Sequence, residues 1–177
     1  MNGKTYATPV AFLLGPLLVQ AVAAEVYMSE SQAAGLLFPG LKLTERTFKL
    51  TPEDLQALAK STGEKINNVS LKLYRAKSAE TVYIDRTVGK HEFITYAVGI
   101  SADGKIKGIE ILEYRESYGH EVRKEAWRAQ FRGKDAHSPL SLNDDIQNIS
   151  GATLSSGHLT RGVKRVVLTH ALISKRL

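Results

Sequence analysis

The sequence has 177 residues, 43% of them hydrophobic and 24% charged, with a formal net charge of +6. That is the composition of one ordinary domain with a real core, which excludes disordered and fibrous classes. There is no cysteine, which excludes disulfides, iron–sulfur clusters and c-type haem on this chain, because each needs thiols.

The chain opens with Lys4 and an apolar run from Pro9 to Val22, broken only by Gly15, Pro16 and Gln20. Small residues follow at Ala21-Val22-Ala23-Ala24, and charge begins at Glu25. This predicts a signal peptide over residues 1–24 and an exported, periplasmic protein. The run is short beside the ~20 apolar residues of a membrane span; left uncleaved, it would tether the chain to the membrane. Without residues 1–24 the net charge is +5, a mild excess that suits an anionic cofactor or an acidic redox partner. Nucleic acid is not an expected partner of an exported chain.

Residues 29–38 predict a short helix ended by Pro39-Gly40. Thr51-Pro52-Glu53-Asp54 is a helix start, with Thr51 as N-cap, and Gly63 closes that helix. Residues 25–68 thus read as an N-terminal helical lead-in. From Val69 the period changes to two. Strands are expected over about 69–74, 81–88, 94–100 and 106–114, with a hairpin at Asp103-Gly104. The last strand carries apolar groups on both faces. Residues 121–131 are helix-compatible and hold the only tryptophan, Trp127; residues 132–149 form a polar connector. Leu159, Val163, Val166, His170 and Ile173 mark a terminal amphipathic helix. The fold class expected is α+β: an antiparallel sheet of four or more strands with helices packed on one side, residues 69–177 forming the functional domain.

Ser150-Gly151-Ala152-Thr153-Leu154-Ser155-Ser156 lies where the connector meets that terminal helix. A helix N-terminus offers unpaired N–H groups and partial positive charge, which suits a phosphate. Gly151 and Ala152 leave room for close approach, and the hydroxyls can bind phosphate oxygens. The same residues suit a plain N-cap, and composition alone leaves both roles open. The five histidines have no metal-ligand spacing, so no metal site and no catalytic constellation is assigned.

Ser-Gly-Ala-Thr-Leu-Ser-Ser resembles the flavinylation motif of the FMN-binding domain family. That family includes exported flavin subunits of the sodium-translocating NADH:quinone oxidoreductase and of the Rnf complex, and small periplasmic proteins. Glu116-Ser117-Tyr118-Gly119 resembles the family's Glu-Thr-Pro-Gly segment, and the Trp127 to Lys134 run resembles the stretch before the attachment site. The resemblance covers residues 80–177. It implies FMN joined by a phosphoester to Thr153, delivered from FAD by a flavin transferase using Mg²⁺, and a membrane-bound electron-transfer partner. Around Thr153 it points to Ser150, Gly151, Ala152, Leu154, Ser155 and Ser156 as cofactor-binding residues. Glu116 and Ser117 are candidates for contacts to the ring or ribityl chain. Two positions depart from the pattern: Gln147 stands where the motif has Asp, and Tyr118 where the segment has Pro. Trp127 suits the core better than a flavin wall. Lys134, Arg115 and Arg123 suit either a reduced anionic flavin or solvent. A flavin-dependent reductase of a small substrate and an exported binding module without flavin are the alternative functions.

Overall fold

A computed structural model describes residues 25–116 and 118–177. The expected signal peptide and Ser117 lie outside the described residues. Six strands form one antiparallel sheet in the order β1-β6-β5-β4-β3-β2. They are β1 (Glu25–Val26), β2 (Thr44–Lys49), β3 (Ser70–Arg75), β4 (Thr81–Val88), β5 (Phe93–Ile100) and β6 (Ile106–Tyr114). The four strands expected from period two are present with nearly the expected bounds.

The lead-in is not purely helical. Helices α1 (Glu30–Leu37) and α2 (Pro52–Thr62) form where the sequence predicts them, α2 at its expected Thr51 cap. Ser29 and Thr51 each head a capping box, and Gly63 ends α2 at φ +71°. Between them β2 pairs with β3, and β1 pairs with β6, so residues 25–68 supply both edges of the sheet. Strand β2 was not legible because it lies at an edge and is largely exposed, which removes the alternation that marks a half-buried strand.

Helices cover both faces, which corrects the one-sided arrangement. Helix α4 (Thr153–Ile173) and α2 close over one face, where Leu159, Val163 and Leu58 join Tyr83, Tyr96 and Val98 in the main core. Helix α1 closes the other, with Ala33, Ala34, Leu37 and Phe38 on Val82, Ala97 and Leu112. Gly99 and Gly108 make this possible: a Cβ at either would stand 3.2 Å from Leu37 or Phe38.

The apolar groups on both faces of β6 have a structural cause. Pairing with β5 jumps from Ile100–Ile106 to Gly99–Gly108, and from Tyr96–Ile111 to Thr95–Glu113. Each jump inserts one residue, Lys107 and Leu112, as a bulge. After each bulge the facing parity is reset, so Ile106, Ile109, Ile111 and Tyr114 all reach the main core and Leu112 reaches α1. The span 121–131 is broken rather than continuous. It consists of a 3-10 turn (His120–Arg123), the single turn α3 (Glu125–Arg128) and a second 3-10 turn (Ala129–Phe131). Lys124, at ψ 130°, interrupts the helical path, and Val122, Trp127 and Phe131 are buried under β6.

Candidate functional site

Thr153 is the first residue of α4. The residue before it, Ala152, occupies the N-cap, and no side-chain cap hydrogen bond forms there. The first N–H groups of a helix have no intrahelical partner, so this end keeps its affinity for an anion. Gly151 sits at φ +80° with nothing within 4 Å of a Cβ built on it. The chain therefore turns into the helix through a left-handed residue, with open space beside it.

An open cleft of about 400 Å³ lies here. One side is the motif, Gly151 to Ser155; the other is Lys90, His91, Glu116 and Tyr118. Thr153 and Leu154 are exposed to it. The structure thus brings Glu116 together with Gly151, Ala152, Thr153, Leu154 and Ser155. Ser150 is exposed but does not line the cleft, and Ser156 is fully buried. The Ser156 hydroxyl donates to Asn148 Oδ1 at 2.9 Å. The Asn148 amide in turn donates to Thr153 Oγ1 at 3.0 Å. Ser156 acts through Asn148 to orient the Thr153 hydroxyl rather than facing the cleft.

Glu116 is a bracket between strands. Its Oε1 accepts the backbone N–H of His91 at 2.5 Å and of Glu92 at 3.0 Å. Burial opposes ionisation, but the amides of Glu92, His91 and Lys90 outweigh it and hold the carboxyl below its ordinary 4.5. The β4–β5 turn is thereby fixed beside the motif, and a Cβ on Gly89 would strike Glu116 Oε1 at 2.5 Å. His158 of α4 holds the same turn through the carbonyls of Val88 and Gly89 at 2.7 and 2.8 Å. On the other side, Tyr114 donates its hydroxyl to the Tyr118 carbonyl at 2.5 Å. Gly119, at φ +88°, passes so close to Ala152 that a Cβ would approach its side chain to 2.7 Å. Gly119 is thus packed on the motif.

The more distant candidates serve the scaffold. Trp127 is buried, donates Nε1–H to the Gln147 carbonyl at 2.8 Å and stacks edge-on against Phe131. Lys134 pairs with Asp145, Arg115 with Glu113, and Arg123 lies over the Tyr27 ring. The basic residue types lining the cleft are instead Lys90 and His91. Neither was legible in the sequence, because they sit in a turn some 60 residues upstream with no motif of its own. Asn148 carries no signal of its own either. Its neighbour Gln147, which occupies the motif position, has its backbone engaged by Trp127 and by the Gln130 side chain.

The FMN-binding domain family matches residues 89–168, the stretch that contains every residue of the cleft. The G subunit of the Na⁺-translocating ferredoxin:NAD⁺ oxidoreductase complex of Acetobacterium woodii is 30% identical over 143 residues, covering 72% of this chain and 69% of that protein. The chain belongs to the FMN-binding domain family. The G subunit of the proton-translocating ferredoxin:NAD⁺ oxidoreductase complex of Clostridium ljungdahlii is 32% identical over 81 residues, or 42% of this chain and 44% of that protein. The family match takes in the β4–β5 turn, Glu116, Tyr118 and the head of α4, which together line the cleft. This family member has no described helix long and apolar enough to cross a membrane.

Proposed function

We propose that this chain is an exported electron-transfer subunit that carries FMN as a phosphoester on Thr153. The observation that carries the proposal is the placement of Thr153: its side chain opens on the cleft at the head of a 21-residue helix whose N-cap is an alanine with no side-chain bond. A loop serving only as a cap would put a hydroxyl or carboxylate in that role. The residues present therefore suit a phosphate. The α4 amides and helix dipole face it, Gly151 leaves the approach open, and Asn148 orients Thr153 Oγ1. Lys90 adds positive charge to the cleft and His91 a polar ring, on a turn held by Glu116. Bound FMN supplies the electron transfer through its ring, and the protein sets its position and potential.

A threonine hydroxyl is a weak nucleophile unaided, so attachment calls for a separate flavin transferase. In that step Thr153 Oγ1 attacks the FMN phosphorus of FAD. The new P–O bond replaces the pyrophosphate bond, AMP leaves and the hydroxyl proton is released, with Mg²⁺ stabilising the phosphoryl charge. A covalent link keeps the cofactor outside the cytoplasm, where reversible binding would lose it by mass action. The two relatives are named as subunits of ion-translocating ferredoxin:NAD⁺ oxidoreductase complexes, which supports a membrane-bound redox partner for this chain.

The full chain, co-expressed with a flavin transferase, should show flavin fluorescence in a denaturing gel and a mass increase of FMN less water. Thr153→Ala should abolish both, while Ser155→Ala and Ser156→Ala should retain the label. A label that survives Thr153→Ala overturns the assignment; a chain that stays colourless overturns flavin binding itself. Turnover of small substrates well above that of free FMN would favour a reductase instead.

A further inference from the structure

We infer that Tyr118 is the residue that packs against the isoalloxazine ring and fixes its orientation at the mouth of the cleft. The inference rests on the reading that FMN hangs from Thr153, and goes beyond it by naming the side chain that receives the ring. Tyr118 is 79% exposed, the most exposed of the large hydrophobic side chains among the described residues. It lines the same cleft as Thr153, beside Leu154, itself 51% exposed. The aromatic side chains Trp127 and Phe131 are instead buried in the core. Two apolar side chains left open at the rim of one cleft mark a surface that gains by being covered.

The exposed ring stands on a rigid base. The Tyr118 carbonyl accepts the Tyr114 hydroxyl at 2.5 Å, and Tyr114 is nearly fully buried. The next residue, Gly119, takes φ +88° directly against Ala152 and Tyr114, where no side chain fits. The backbone of Tyr118 is therefore anchored while its side chain stays free of the core. Such a placement holds an aromatic face ready without the entropic cost of ordering a loop. A flat aromatic partner meets a tyrosine best in an offset stack, and the same cleft also presents Lys90 and His91, which are polar. An isoalloxazine leaving Thr153 thus has its apolar wall at Tyr118 and Leu154 and its polar edge toward Lys90 and His91.

The test is flavin emission in the matured full chain. A phenol stacked on an excited flavin donates one electron to it and takes it back, so emission is quenched and nothing is consumed. Flavin loading is first measured by intact mass in wild type, Tyr118→Leu, Tyr118→Phe and Tyr118→Trp. With equal loading, emission yield should rise several-fold in Tyr118→Leu and Tyr118→Phe and return to the quenched level in Tyr118→Trp. Equal loading with unchanged emission in all variants overturns the role of Tyr118 while leaving the Thr153 link intact. Absence of flavin from the wild type overturns the link, and the inference with it. The position is exposed, so none of these substitutions removes a core contact.

Discussion

At the residue scale, the cleft is built from side chains that act on other groups of the protein. Glu116 is the clearest. Charge-assisted bonds of this kind contribute about 1.5–3 kcal/mol, so Glu116→Ala should destabilise the fold by roughly that amount and speed amide exchange at His91 and Glu92. Denaturant titration with hydrogen exchange measures both. Its lowered carboxyl value stabilises the fold above the ordinary 4.5, and that contribution is lost as pH falls through the depressed folded value. Asn148 has a different signature. Asn148→Ala removes the donor to Thr153 Oγ1 and should slow flavin attachment in a timed transferase assay while leaving Thr153 the acceptor.

His170 sets a second pH dependence. It is 5% exposed and meets the Tyr83 hydroxyl at 3.0 Å. Burial, reinforced by the nearby Arg75 charge, pushes its pKa from 6.5 down to about 4. The unfolded chain therefore binds this proton first as pH falls. The stability from neutral His170 is whole above 6.5 and is lost progressively towards 4, amounting to about 3 kcal/mol. His170→Gln should flatten the stability profile across that window, as followed by denaturant midpoints at stepped pH.

At the element scale, α4 reaches the sheet through Gly162. A Cβ there would strike Tyr96 Oη and stand 3.0 Å from the ring carbon that bears it. The ring cannot swing away: it is fully buried, and its hydroxyl donates to Asp85 at 2.7 Å. Asp85 is held in turn by Arg165 of α4 at 2.6 Å. Gly162→Ala should therefore cost about 1–3 kcal/mol of overpacking. Tyr96→Phe, which deletes the clashing oxygen, should recover part of that loss in a double-mutant cycle. The face of α4 was legible because burial recurs at helical spacing. The seat that Gly162 gives to Tyr96 was not, since a glycine inside a helix pattern carries no sign of what approaches it.

At the scale of the whole molecule, residues 25–68 complete the domain. They supply the edge strands β1 and β2, the cover of one sheet face by α1, and the neighbour of α4 in α2. A fragment of residues 69–177 would leave Val82, Ala97 and Leu112 uncovered and β3 and β6 as open edges. It should aggregate or bind a hydrophobic dye where the chain from residue 25 stays folded and monomeric, as size exclusion and dye fluorescence would show.

The sequence by itself determined the elements whose signal is local. The cap at Thr51, alternation in β3 to β5, the amphipathic stripe of α4, and the motif that places Thr153 at its head all depend on neighbours within a few residues. Tertiary structure alone decided that α1 covers the second face, that two bulges re-aim β6, and that Lys90, His91 and Tyr118 meet Thr153. Those outcomes come from groups far apart in the chain, brought together by strand pairing and by the close approach of backbone at Gly99, Gly108 and Gly119. No residue records in its own neighbourhood what such distant packing will set beside it.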